Sequence, residues 1–276
     1  MGVTVHTVAH DSALYIKELM AGWLHSYNAT SPREVVLELG GGMSKVCYDW
    51  IKNGIESGMR NDIGIFAFDS NSRQLGGTLF HEALISGVAF PALDAVAKNS
   101  GALRVTFRPA FTEEKNAFPQ SNKTTPGPKQ HKQLLANKFR LQISGFEQEC
   151  RGVTMVEAIA VKRNIQLMPV GSQRQPGFEA TPSVVEPEEL IFHVPESEAQ
   201  GFLEWHQAFV ERRDTLNKDG YLEYLAGNQL LFTVTFRDLI PVTISLGRIS
   251  PSPSAGLATV KMMYEKLTFK GNATWS

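Results

Sequence analysis

The stretch from Glu196 to Ile240 reads ESEAQGFLEWHQAFV, then GYLEYLAGNQ, then LLFTVTFRDLI. Ser197 followed by Gln200 is a capping-box pattern, and Ala199, Phe202, Trp205, Phe209 and Val210 follow at helical spacing. This spacing predicts one amphipathic helix. Beyond a polar break, LEYL and FTVTF alternate apolar and polar residues and are rich in aromatic and β-branched side chains, with Ala226-Gly227-Asn228-Gln229 between them. A helix feeding a β-hairpin is the local expectation.

The same order occurs earlier. Met43 to Ile85 reads MSKVCYDWIKNGI, then GIFAFDSNSRQ, then LGGTLFHEALI. Trp50 matches Trp205 and Ile55 matches Val210 at one offset (205 − 50 = 155). Phe66 is placed on Leu222, Phe80 on Phe236 and Leu84 on Ile240 one residue further along (236 − 80 = 156). A period near half the chain means duplicated domains rather than a solenoid of short repeats.

Working outward, EVVLEL matches EELIFHV before each helix (190 − 35 = 155). The N-terminal pair is weaker: Val3 to Ala29 is set against Phe139 to Ile165, with Trp23 on Ile159 (159 − 23 = 136). The second copy then holds extra residues in MPVGSQRQPGFEATPSVVEP, a composition that predicts a long loop or an extended hairpin. Each copy ends in a strand, ALRVTF and ATVKMMYEKLTF, and FPALDAVAKNSG before the first reads as a strand end with a turn of helix. EEKNAFPQSNKTTPGPKQHKQLLANK is poor in apolar residues and rich in Pro, Lys, Gln and Asn, the composition of a solvated linker.

The expected fold is therefore mainly β, with two tandem barrel or sandwich domains, each flanked by one helix that covers an open end. The first domain is placed at residues 1–114, the linker at 115–137 and the second domain at 138–276. The chain of 276 residues is 42% hydrophobic, enough to fill two modest cores. In the second copy Phe202, Trp205 and Phe209 form the plug, each worth about 1.5–3 kcal/mol when buried.

A formal net charge of −1 gives no basis for strong non-specific nucleic-acid binding. Cys47 and Cys150, one per copy, are too few for a disulfide framework or a four-ligand zinc site, and read as reduced thiols. The N-terminal residues lack a basic region followed by a long apolar run, so no export and no membrane span are expected.

The sharpest enzymatic candidate is VVLELGGGMS from Val35 to Ser44, with Asp69 further on, which imitates the first two motifs of S-adenosylmethionine-dependent methyltransferases. The spacing counts against it (69 − 38 = 31, against about 20 in such folds), as does the second copy, where FHVPESEAQ has no glycine run. His6 and His10 lie on an alternating strand-like segment, His81-Glu82 lacks the second histidine of a zinc-protease motif, and His206 aligns with Ile51 on a helix face. No catalytic, cofactor-binding or metal-ligating residue is therefore assigned, and no cofactor is expected.

The strings MSKVCYDWI, HEALI, FPALDA, FRLQISGF, FLEWHQAFV, GYLEYL and VKMMYEKLTF, taken together, resemble phage-type tail tube proteins of contractile tails and related injection systems, in a double-domain form. The resemblance covers most of the chain and is weakest over residues 1–30 and the two long loops. It implies β-barrels with a flanking helix that assemble into six-fold rings and stack into a conduit, three two-domain chains completing a ring. It also implies a virion tail or injection particle assembled in the bacterial cytoplasm. Implied partners are further copies of the chain, sheath, baseplate or hub proteins, and DNA or protein passing through the lumen. A tube initiator or hub adaptor is the alternative within that class. The first copy departs from the pattern in its short loop before the helix.

Overall fold

The computed structural model describes residues 11–16, 19–31, 34–69, 74–115, 134–170, 177–186, 189–211, 217–247 and 256–272. Its elements in chain order begin with β1 (Asp11–Ile16), β2 (Leu19–Ser31), β3 (Glu34–Leu39), α1 (Lys45–Ser57), β4 (Asn61–Phe68) and β5 (Gln74–Phe90). There follow β6 (Leu93–Asp94), β7 (Ser100–Gly101), β8 (Leu103–Arg108), β9 (Phe111–Lys115), β10 (Leu134–Leu135), β11 (Phe139–Ile143) and β12 (Met155–Val156). The chain continues with β13 (Ile159–Val170), β14 (Gly177–Glu186), β15 (Leu190–Pro195), α2 (Gln200–Val210), β16 (Lys218–Ala226), β17 (Gln229–Leu246), β18 (Leu257–Met263) and β19 (Lys266–Gly271). The fold is mainly β, as the alternation indicates, with one helix in each half.

The first sheet closes on itself. β5 pairs β4, β4 pairs β1, and β1, β2, β3 and β8 follow in turn until β8 returns to β5. Closure is possible because β5 is 17 residues long. Its first half lies beside β4 and its second half beside β8, so one strand serves both sides of the barrel. Inward residues alternate cleanly, as in the buried Val35, Leu37 and Leu39 of β3 and Leu103, Val105 and Phe107 of β8. α1 covers the end of this barrel through Trp50, whose ring meets Phe107 edge-on at 6.0 Å, and through Ile51 and Ile55.

The second sheet repeats these pairings. β16 pairs β17, β17 pairs β18 and then β19, β18 pairs β15, β15 pairs β12, and β11 pairs β16. The registers agree residue by residue: Val35 faces Phe107 as Leu190 faces Met262 (190 − 35 = 155; 262 − 107 = 155). Phe80 faces Thr112 as Phe236 faces Leu267 (236 − 80 = 156; 267 − 112 = 155). α2 covers this end with Phe202 and Trp205, which stack on Phe146 at 5.1 Å, while the Lys218 ammonium lies 5.3 Å over the Phe146 ring. Trp50 and Trp205 both bury an indole N–H without an acceptor among the described residues.

One closure differs. β1 and β2 pair directly, but β11 and β12 do not. In the second sheet β6 lies against β12 in the place next to it, through Leu93↔Val156 and Asp94↔Met155. Pro91 accepts the Tyr224 hydroxyl at 3.4 Å, and the Asp94 N–H donates to the Ala136 carbonyl at 3.0 Å. The halves also meet where Tyr48 of α1 packs on Phe232 and Phe269 of the second sheet, and one apolar core runs through both.

Several sequence expectations are corrected. α2 begins at Gln200 with Ala199 as its cap and no side-chain cap bond, because Glu196–Glu198 forms a turn of 3-10 helix, so the Ser197/Gln200 capping box does not form. Leu222 is matched by Ile65, not Phe66: Leu222 and Ile65 are core residues, whereas Phe66 joins Ala13, Tyr15 and Phe68 in a separate cluster on the other face. A one-residue slip in a strand exchanges its two faces. Leu141 faces Leu222 as Leu14 faces Ile65, so the first strands match at a shorter offset (141 − 14 = 127), and Trp23 does not correspond to Ile159. Val3 itself lies outside the described residues. FPALDAVAKNSG forms no helix but the short strands β6 and β7 joined by a turn. The extra residues of the second half form the β13–β14 hairpin.

Candidate functional site: bulges and free edges

The polar residues singled out in the sequence do not converge on one another. β5 and β17 each carry two residues opposite one of the neighbouring strand: His81 and Glu82 oppose Asp62, and Arg237 and Asp238 oppose Asp219. This is a β-bulge, one extra residue that bends and twists a strand. Glu82 (φ 49°) and Asp238 (φ 56°) are left-handed, and they are the described non-glycine residues with positive φ. Asp62 Oδ1 accepts the Glu82 N–H at 2.9 Å, and Asp219 Oδ1 accepts the Asp238 N–H at 3.3 Å. The basic side chain before each left-handed residue pairs with the same carboxylate, His81 Nδ1 at 3.5 Å from Asp62 and Arg237 with Asp219.

The imidazole of His81 also reaches Glu113 at 3.6 Å and stacks on Phe111 at 4.4 Å. The pair with Lys115, then His81, holds the Glu113 carboxyl below its usual range. Asp62 and Glu113 stand on opposite nitrogens of one ring, an arrangement that fixes β9 to β5 rather than opening a coordination site. Among the described residues no group of three His, Cys, Asp or Glu side chains could hold a metal ion.

His193 is held by Glu157 at 3.3 Å and Thr259 at 3.1 Å. His206 lies 3.2 Å from the Val242 carbonyl at the second bulge of β17. His6 and His10 lie outside the described residues. Cys47 and Cys150 are buried free thiols, and burial pushes both up, Cys150 to about 12. No helix of the described residues is long and apolar enough to cross a membrane.

The methyltransferase alternative fails on topology. That reading needs parallel strands alternating with helices, but β3 is antiparallel to both β2 and β8. Glu38 at its end accepts from Ser26 at 2.7 Å and pairs across the sheet with Arg104 at 2.9 Å.

What the arrangement offers instead is sheet edge. Among the described residues β17 has no partner on its β16 side beyond Leu239, and β2 has none on its β1 side beyond Trp23. Val210, Val242, Leu246 and Met263 are exposed apolar side chains of α2 and of the β17–β18 end. An unpaired edge bordered by apolar side chains is a template for another strand. Two clefts accompany these surfaces: about 480 Å³ between Glu38, Arg104, Pro91 and Gly101, and about 680 Å³ between α1 and β19, bordered by Lys45, Lys52 and Lys270.

No family model and no curated protein matches the chain. Among solved structures it is similar to a chain of the six-fold symmetrised baseplate of the anti-feeding prophage. That alignment has 12% identity and a TM-score of 0.36, and covers 48% of this chain and 91% of that one. It is also similar to Hcp1 of Flavobacterium johnsoniae, with 15% identity and a TM-score of 0.30 over 49% of this chain and 95% of that one.

The edges and the bulge carboxylates were not found by motif. Asp62 and Asp219 stand in no recognisable pattern, and the helix offset does not join them: it sets Asp62 on Asn217 (62 + 155 = 217), and only the strand pairing brings Asp62 and Asp219 into correspondence (219 − 62 = 157).

Proposed function

We propose that this chain is a structural subunit and not an enzyme: a tandem tail-tube-like protein whose copies associate side by side into rings that stack into a conduit. The observation that carries the reading is the pair of equivalent barrel-like sheets, each with the same bulge, that among the described residues leave an edge unpaired at β2 and another at β17. Edges at two different places on one chain favour heterologous contacts, which close into rings when the rotation allows. Apart from FPALDA, which covers β6, the sequence strings that resemble tail tube proteins fall on α1, α2 and strands that recur in both halves. On this reading the tandem domains take two positions of each ring, and a virion tail or injection particle is where the ring would be found.

A second reading, an adaptor between rings of different symmetry, is favoured by the inequality of the halves. The hairpin β13–β14 has no counterpart in the shorter β2–β3 connection, so the two positions of a ring would present different ends to the next layer.

Size-exclusion chromatography with light scattering and negative-stain microscopy test both. Particles at a whole multiple of 30.5 kDa that appear as rings or rods support the tube, and single rings capped on one face support the adaptor. A clean 30.5 kDa species at high micromolar concentration would refute both.

A further inference from the structure

We propose that Val242–Leu246 of β17 pairs antiparallel with the same segment of a second copy of this chain about a two-fold axis, Ile244 opposite Ile244. The contact goes beyond the ring reading. It occupies the β17 edge, so it is the form in which a free chain keeps that edge covered before assembly.

The first half shows what such a surface receives. The end of β5, Gly87–Phe90, is lined by β13, with Ile159 opposite Phe90, Val161 opposite Val88 and Lys162 opposite Gly87. Ile159 and Val161 are buried, while Ala160 and Lys162 point away from the core. Arg163, next in line, donates to the carbonyls of Gly54 at 3.1 Å and Ile55 at 2.6 Å near the end of α1.

The second half has the same surface uncovered. β17 repeats β5 through both bulges: Ile85↔Phe107 then Gly87↔Thr106 becomes Pro241↔Met262 then Thr243↔Lys261. Gly87–Phe90 thus corresponds to Thr243–Leu246 (243 − 87 = 156), and Ile55 to Val210. Among the described residues nothing pairs with the free side of Thr243–Leu246, and α2 is tied beside it by His206 Nε2, 3.2 Å from the Val242 carbonyl. Val242, Leu246 and Val210 are 37%, 53% and 65% exposed.

The segment itself names the occupant. Val242-Thr243-Ile244-Ser245-Leu246 alternates apolar and hydroxyl residues, carries no charge, and has the same pattern in either direction. Directly opposed residues of antiparallel strands share a face. Pairing centred on Ile244 therefore sets Val242 on Leu246 and Ile244 on itself along the core side, and Thr243 on Ser245 along the other. The same register reproduces β13 position by position. The partner's Val242 and the partner's Ile244 take the places of Ile159 and Val161, and the partner's Leu246 takes that of Arg163, over the end of α2 where Val210 is exposed. Three exposed apolar side chains of each copy are covered at once. Pro241 has no N–H to donate, so the ladder ends there. The two α2 ends stay clear of each other, because Val242 and Leu246 lie about 13 Å apart along a strand, beyond the about 8–10 Å at which helices pack. A two-fold contact needs a self-complementary patch, and pairing two bare edges removes both as templates for aggregation.

Opposed residues of antiparallel neighbours have Cα atoms about 4.5–5.5 Å apart, within reach of a disulfide. The test mixes full-length Val242→Cys with full-length Leu246→Cys under mild oxidation, beside each alone, Ile244→Cys alone, and Ser57→Cys on exposed α1 as the measure of collision. The buried Cys47 and Cys150 are common to all samples and serve as blanks. Covalent dimers are expected from the mixture and from Ile244→Cys, several-fold above Ser57→Cys, with Val242→Cys or Leu246→Cys alone no higher than that control. Leu246→Asp, which sets a charge against the partner's Val242, should turn the dimer into a monomer by light scattering. Equal cross-linking in every sample, or a Leu246→Asp protein that stays dimeric, would overturn the contact. Rings or rods without the cross-link would overturn it and leave the ring reading standing, whereas a cross-linked dimer that never forms rings would uphold it and count against the ring. A wild-type monomer throughout would overturn both.

Discussion

At Glu82 and Asp238 the backbone adopts a conformation that costs an L-residue about 1–2 kcal/mol, and in each case a carboxylate across the strand takes up the exposed N–H. The bulge is thus held by a local pair rather than by glycine. Glu82→Gly should be neutral or stabilising by up to about 1 kcal/mol, strain relief offsetting the greater freedom of the unfolded chain. Glu82→Val should cost about 1–2 kcal/mol, since a β-branched residue is least suited to positive φ. Urea melts of the two variants check this, and equal losses would deny the strain. Cys150 gives a pH prediction. Burial raises its folded pKa from 9.0 to about 12, so its contribution is complete below pH 9 and is lost as pH climbs from 9 toward 12, where the unfolded chain gives up the proton first. Thermal melts across that range should fall less steeply for Cys150→Ala than for the wild type. Neither bulge was legible in the sequence, because a bulge is defined against its partner strand. Phe66 shows the same limit: FAF alternates perfectly, yet only pairing decides which face enters the barrel.

Elements were legible where periodicity is long. Both helices were read from their apolar spacing, and Trp50 and Trp205 do occupy equivalent buried sites. Their ends were not read, because capping depends on the turn that precedes the helix. Ser44 is extended and its hydroxyl accepts from the Cys47 N–H at 3.5 Å, while Ala199, its counterpart, already has helical angles after the 3-10 turn. Ser44→Ala should therefore cost about 0.5–1 kcal/mol, whereas Ala199→Ser should gain nothing. A gain of similar size at 199 would mean that the turn can unwind to offer a cap. Truncating the plugs is the larger effect: Trp50→Ala and Trp205→Ala should each cost about 3–5 kcal/mol through the cavity left at a barrel end. Both are measured by equilibrium unfolding. Gly77 tests the strand below the outer aromatic cluster, since an added Cβ would stand 2.2 Å from the Ile65 carbonyl oxygen and 2.4 Å from the Phe66 ring. Gly77→Ala should destabilise by about 1–3 kcal/mol.

For the whole molecule, spacing pointed to the matching order of elements in the two halves but not to how the halves exchange strands. β6 is two residues long and follows Pro91, too short for any periodic signal, yet it sits where β11 would have to meet β12. The first barrel closes through its own strands, whereas the second sheet runs as an open path from β11 to β6, with residues 91–95 and 134–136 of the preceding chain lying at the gap. The two halves should therefore differ when separated. A fragment of residues 1–115 keeps every strand of the closed ring and gives up the β13 contact on β5, so it should melt cooperatively at reduced stability. A fragment of residues 138–276 would uncover Tyr224, Phe232, Phe269 and Val156, all buried in the intact chain beneath Phe90, Leu93 and Tyr48. Losing that cover removes several large side-chain contacts at about 1.5–3 kcal/mol each, comparable with the whole stability of a small domain at about 5–15 kcal/mol. It should bind a hydrophobic dye and melt without cooperativity until residues 1–137 are supplied in trans. A monomeric, cooperatively melting 138–276 fragment would show that β6 decorates the second barrel instead of completing it.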